Sequence, residues 1–214
     1  AAYGELGIGS GRGFNSLVFL TLGTGVGCGV IIGDLIIEGE HGHGTECGHI
    51  LVDPSDTAPI CSCGKRGHLE SFASATGLIR RAKDRIAAGK APALAERISQ
   101  GEKLTPLLIA QLAENGDEPS LELVLETAYY LGLGIVTLLH TFDPTGLLLG
   151  GAMTFGGMKS PVGRQFLQRI REEVRQRAFP TLAEKVVIRF AALGGDAGFI
   201  GAAGIARLEQ RKRR

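Results

Sequence analysis

Three short apolar runs separated by glycine open the chain, and they constrain the fold more than any later stretch. Leu17–Leu22 (LVFLTL) leads into Gly23-Thr24-Gly25-Val26-Gly27-Cys28-Gly29. Val30–Ile32, a bend at Gly33-Asp34 and Leu35–Ile37 follow. Runs this short and rich in Leu, Ile and Val read as buried strands, and an aspartate beside glycine at the bend marks a hairpin. The first forty residues therefore predict three antiparallel strands.

The rest alternates. A helix is predicted from Ser74 to Ala88, with Ile79, Ala82 and Ile86 on one face. Residues 89–119 hold two short helices, Ala93–Ile98 and Pro106–Glu114, read as an inserted cap or a dimer-facing element. A long apolar helix spans Leu121–Thr141, and Asp143-Pro144 turns the chain into the strand Leu147–Leu149. Ser160-Pro161 is a cap followed by proline at the first helical position, starting a helix that runs to Arg177 and breaks at Pro180. Val186–Phe190 is a further strand, Gly194-Gly195 a turn and Gly198–Leu208 a small-residue helix. Strands followed by alternating helix and strand make an α/β domain.

Composition excludes several classes. The 214 residues are 44% hydrophobic and 21% charged, enough to bury a core, so the chain is not disordered. Its 33 glycines have no three-residue period, which excludes collagen. A net charge of +1 gives no general attraction to nucleic acid or anionic membrane. Aromatics at 6%, without tryptophan, argue against stacking platforms for single strands. The basic run Arg211-Lys212-Arg213-Arg214 reads as a solvated tail. No run approaches the ~18 unbroken apolar residues of a membrane span, so none is expected, and the first residues given do not read as a basic-then-apolar signal peptide. Four cysteines argue against a disulfide scaffold and for a reducing compartment, so a cytoplasmic location is expected.

Two glycine loops are candidate ligand sites. Gly23-Thr24-Gly25 lies between two strands, where the backbone can bend and turn its N–H groups to an anion such as phosphate. A tight hairpin has the same composition. No Gly-Lys-Ser/Thr follows, and a strand rather than a helix comes next, so the loop is neither a Walker A loop nor a dinucleotide fingerprint. Gly150-Gly151 ends a strand, where ligands of open α/β sheets bind.

Residues 46–70 concentrate the metal-binding chemistry. His49, Cys61, Cys63 and His68 offer two sulfurs and two nitrogens, a donor set for tetrahedral zinc. His41, His43 and His140 read as solvated surface residues, with His41 and His43 near enough to stand in as ligands, and Cys28 and Cys47 read as packing residues. Glu46 and Glu70 flank the cluster and can each accept hydroxyl hydrogen bonds, as can any solvated carboxylate.

Together, Leu22–Gly29, Gly39-Glu40, Glu46-Cys47-Gly48-His49-Ile50 and Cys61-x-Cys63-Gly64-x-x-Gly67-His68-Leu69-Glu70 resemble the ROK family of repressors and sugar kinases. The likeness continues through Asp143-Pro144, Gly150-Gly151-Ala152 and Gly194-Gly195-Asp196-Ala197-Gly198. Gly9-Ser10-Gly11-Arg12-Gly13 is similar to the bacterial glucokinases of that family.

The resemblance implies the C-terminal domain of an actin-like, ribonuclease-H-like ATPase. Residues 1–214 would be its ATP- and sugar-binding lobe, with a zinc loop at 39–70, a helical insertion at about 89–119 and the N-terminal lobe outside this chain. The implied activity is ATP-dependent phosphorylation of a hexose, glucose to glucose 6-phosphate, with Mg²⁺ and a structural Zn²⁺. Gly23, Thr24 and Gly25 would meet phosphate, and Gly150 and Gly151 adenosine. Glu46, His49 and Glu70 would bind sugar hydroxyls. Zinc would sit on His49, Cys61, Cys63 and His68, where His68 replaces the family's usual last cysteine. Ala1-Ala2-Tyr3-Gly4-Glu5 resembles the end of a segment whose aspartate is the family's general base, so that base is expected upstream of Ala1 and no catalytic residue within the chain. Family habit implies a homodimer. The alternatives are a sugar-sensing repressor, whose DNA-binding helices would precede this domain, and a sugar-binding lobe without turnover.

Overall fold

The computed structural model describes residues 1–33 and 35–212. Asp34 of the expected bend, and Arg213 and Arg214 of the basic run, lie outside the described residues.

Strands β1 (Ser16–Leu22), β2 (Val26–Ile32), β3 (Leu35–Ile36), β4 (Gly146–Gly150) and β5 (Val187–Phe190) form one sheet, in the order β3-β2-β1-β4-β5. The β1–β2 and β2–β3 pairs are antiparallel, as expected; β4 runs parallel to both β1 and β5. The second strand begins at Val26, not Val30, and takes in the glycine-rich stretch. Gly27 lies opposite Thr21, where a Cβ would sit 2.4 Å from the Thr21 hydroxyl. Glycine here serves close packing across the ladder rather than a turn.

One face of the sheet carries the main core. Val18, Leu20 and Leu22 of β1 meet α6 (Glu118–Phe142) and α7 (Pro161–Arg177) there. By length and composition α6 could cross a membrane, but its Leu123, Leu131, Ile135 and Leu138 are buried inside this domain. The helix starts earlier than expected because Asp117 caps it, accepting from the Ser120 N–H at 3.0 Å. Ser160 caps α7 as expected, accepting from the Val162 and Gly163 N–H groups. Pro180 opens the short helix α8 (Pro180–Lys185); the ring's fixed φ suits a first turn.

Helices α2 (Glu70–Ala73) and α3 (Ala75–Ala87) pack on α6. The buried face of α3 is Leu78, Arg81 and Ala82, while Ile79 stays half-exposed. The Arg81 guanidinium donates to the Phe72 carbonyl and the Thr127 hydroxyl and pairs with Glu126 at 3.4 Å. Burial lowers its pKa to about 10, against the opposing pull of Glu126. Residues 89–119 form α4 (Pro92–Ser99) and α5 (Pro106–Glu114), and their Leu94, Leu108, Ile109 and Leu112 belong to the same core.

On the other face Ala2 and Leu6 of α1 (Ala2–Ile8) pack against Leu17, Phe19 and Leu148, and α9 (Ala197–Lys212) packs on α1. Nothing in the local sequence predicts α1. The helix has only seven residues and no side-chain cap, so its stability comes from contacts distant in sequence. Glu5, fully buried, accepts from the N–H groups of Ser10, Ala192 and Leu193 at 2.7–3.2 Å and ties α1 to the chain entering α9.

Candidate functional site

The two glycine loops leave the carboxyl ends of adjacent parallel strands, β1 and β4, where Thr21 pairs with Gly150. In the first loop the Gly23 N–H donates to the Gly25 carbonyl at 3.0 Å. The start of α3 braces it: the Ala75 N–H donates to the Gly23 carbonyl and the Thr76 hydroxyl to the Thr24 carbonyl. Among the described residues the Thr24 and Gly25 N–H groups have no partner, which leaves two donors for an anion. Gly150 is buried as the last residue of β4, and Gly151 turns outward at φ +91°. A Cβ on Gly151 would lie 2.3 Å from the Leu22 carbonyl oxygen, so only glycine lets the second loop close against β1. The loops therefore share one groove of about 390 Å³, with Glu46 and Glu70 also on its wall.

The cysteine–histidine cluster forms beside that groove. His49 ends a single 3-10 turn, Cys47–His49, that packs against β2. Cys61 and Cys63 lie on a tight turn in which the Cys61 N–H donates to the Lys65 carbonyl and the Gly64 N–H to the Cys61 carbonyl. A bridge between Leu51 and His68 draws the far end of the loop back beside His49. One ligand atom from each of His49, Cys61, Cys63 and His68 falls within 4.8 Å of all the others. The His49 Nδ1 lies 3.5 Å from the Cys61 Sγ, and the His68 Nδ1 lies 3.2 Å from the Cys63 Sγ. Zinc bonds of about 2.0–2.3 Å give tetrahedral edges of roughly 3.3–3.8 Å, so the donor set fits one such ion. Burial raises the Cys61 thiol pKa, an effect that a bound cation would oppose. His41 and His43 are exposed and outside this group.

The carboxylates occupy different settings. Glu46 is exposed, with its Oε2 3.9 Å from the His49 Nε2. His49 thus turns Nδ1 to the sulfurs and Nε2 to Glu46. Glu70, the first residue of α2, accepts the Val26 N–H on Oε2 at 3.1 Å and the Ser62 hydroxyl on Oε1 at 2.7 Å. A Cβ on Gly25 would lie 2.2 Å from the Glu70 Oε2. Glu70 therefore sits between the first glycine loop and the cysteine turn. Ser62 escaped the sequence reading, and its place between two cysteines is the only sequence signal that could have found it.

Cys28 and Cys47 are packing residues of the core, as expected; a hydrogen bond between their thiols, then burial, raises the Cys28 thiol pKa, and the same bond lowers that of Cys47. His140 is exposed but also structural, its Nε2 accepting the Phe179 N–H at 3.1 Å.

The model of the ROK family matches residues 1–209. The chain belongs to the ROK family. Glucokinase from Halalkalibacterium halodurans is 37% identical over 201 residues, covering 94% of this chain and 59% of that protein. The xylose repressor of Caldicellulosiruptor bescii is 32% identical over 181 residues, covering 83% of this chain and 42% of the repressor. A solved ROK family glucokinase from Streptomyces griseus, in complex with glucose and AMPPNP, superposes with TM-score 0.82 at 32% identity, covering 96% of this chain and 65% of that one. The chain thus spans less than two thirds of each. The ROK fold, an actin-like ATPase fold on a mixed α/β sheet, is the one that the resemblance implied.

Proposed function

We propose that this chain is the C-terminal, nucleotide- and sugar-binding lobe of an ATP-dependent hexose kinase acting on glucose. One observation carries the reading: two glycine loops and two carboxylates line a single groove at the carboxyl ends of β1 and β4. A phosphoryl donor and a polyol acceptor need such proximity, since phosphoryl transfer depends mainly on positioning and charge neutralisation. The free N–H groups of Thr24 and Gly25 bind the phosphates of ATP, whose Mg²⁺ accompanies them, and Gly150 and Gly151 form the floor beneath the adenosine. Glu46, His49 and Glu70 hold the sugar hydroxyls. His49, Cys61, Cys63 and His68 hold zinc, which when bound fixes the loop and does no chemistry. The general base is assigned to none of the 214 residues.

Glucose titration by calorimetry into zinc-loaded protein and its Glu70→Gln variant tests this reading. The variant keeps one acceptor oxygen and loses the charge, so glucose affinity is expected to fall at least tenfold with the fold retained. Equal affinity in both proteins overturns the sugar assignment. The likeness to the xylose repressor supports a second reading, a sugar sensor without turnover. A coupled assay of glucose-dependent ATP consumption by the longer protein separates the two.

A further inference from the structure

We propose that Ser62 is a positioning residue: it sets the orientation of the Glu70 carboxylate and couples order in the cysteine–histidine loop to sugar affinity. The inference rests on the reading above, in which Glu70 binds sugar. Ser62 is exposed, so burial does not explain where its hydroxyl points. It donates to the Glu70 Oε1 at 2.7 Å, and the Cys61 Sγ lies 3.8 Å from the same carboxylate oxygen. The Glu70 Oε2 is held independently by the Val26 N–H, at the end of the first glycine loop.

Two donors on two different oxygens have a definite consequence. The terminal torsion of glutamate is broad and roughly two-fold, so a free carboxylate samples many planes. One donor leaves rotation about the held oxygen, whereas two donors from separate elements fix the plane. An ionised carboxylate has about four lone-pair sites. Cys61 also donates to Oε1 as a thiol but not as a zinc-bound thiolate, so in the zinc-loaded protein one site is taken on each oxygen and each keeps another for a hydroxyl. That arrangement suits two neighbouring hydroxyls of one polyol.

The coupling follows from chain order. Ser62 lies between Cys61 and Cys63, whose sulfurs belong to the same four-atom group. Tying both neighbours to one ion removes most backbone freedom from the residue between them, and the hydroxyl is presented to Glu70 at little further entropic cost. Without the ion the turn keeps its backbone bonds but Ser62 gains freedom.

Glucose calorimetry on the wild type, Ser62→Ala, Ser62→Thr and Glu70→Gln tests the proposal, with and without zinc. Zinc content and thermal midpoints are measured in parallel. In zinc-loaded protein Ser62→Ala is expected to weaken glucose binding roughly five- to tenfold, the scale of one ordinary hydrogen bond at an exposed position. Zinc content and midpoint should not move, and Ser62→Thr should restore affinity. After zinc removal the Ser62→Ala penalty should shrink toward none. Wild-type affinity in Ser62→Ala, with loss in Glu70→Gln, overturns the role of Ser62 and leaves that of Glu70. Full affinity in both variants, or no glucose binding by the wild type, overturns the sugar reading itself. A penalty that persists unchanged without zinc overturns the coupling.

Discussion

Glu70 shows how closely the site is fitted around single atoms. Its Oε2 lies where a Cβ on Gly25 would be, so Gly25→Ala must displace either the loop or the carboxylate. The variant is expected to lose glucose and nucleotide affinity together and about 1–3 kcal/mol of stability, read by titration and urea denaturation. Loss of one ligand alone would mean that the two subsites are not joined at this residue. Arg81 makes a purely structural case. Its guanidinium serves the Phe72 carbonyl, Thr127 and Glu126 inside the core. Arg81→Met should cost about 1–3 kcal/mol, because it removes the donor to the Phe72 carbonyl and the Thr127 hydroxyl while Glu126 keeps Arg85 at 3.1 Å; a change under ~0.5 kcal/mol would place it among ordinary surface substitutions. At this scale the sequence was legible where the chemistry is local. His49, Cys61, Cys63 and His68 fall within twenty residues, and the structure brings them together. Contacts that depend on long-range pairing, such as Glu70 with Val26 or Gly27 with Thr21, carry no local signature.

Among the elements, the loop from Cys47 to His68 stands apart. Isolated bridges and turns organise it, and Leu51 and Ile60 are exposed. Elements with few buried apolar contacts open first. Chelating the metal is therefore expected to raise amide exchange across residues 47–68 while β1, β4 and α6 stay protected. Exchange that rises evenly over the molecule would mean that the loop is part of the global unfolding unit. Cys61→Ser should abolish zinc binding, read by elemental analysis. Helices α6 and α7 make the opposite kind of contact, with a Cβ on Gly132 meeting the Glu173 Cβ at 2.6 Å. Gly132→Val should overpack this interface by about 1–3 kcal/mol, a fall in Tm of roughly 2–12 °C at ~2–4 °C per kcal/mol. Helix interiors were readable from apolar spacing. Boundaries and the short α1 were not, because caps such as Asp117 and docking partners such as α9 decide them.

Over the whole molecule, one mixed sheet separates the core under α6 and α7 from the layer of α1 and α9. Both glycine loops come to its edge because β1 and β4 are neighbours and parallel, although more than a hundred residues lie between them. The order of strands was not legible from the runs themselves, and the family resemblance implied only the kind of fold. Residues 89–119 read as an insertion because glycine and proline bound them, yet Leu94 and Ile109 place them within the common core. The proposed sugar site lies where the glycine loop, Glu46, His49 and Glu70 meet. Amide chemical-shift mapping of the zinc-loaded protein during a glucose titration tests it most directly. Saturable shifts confined to Gly25–Val26, Glu46–His49 and Ser62–Glu70 are the expected result. Shifts that saturate elsewhere, or none at any glucose concentration, would contradict the claim.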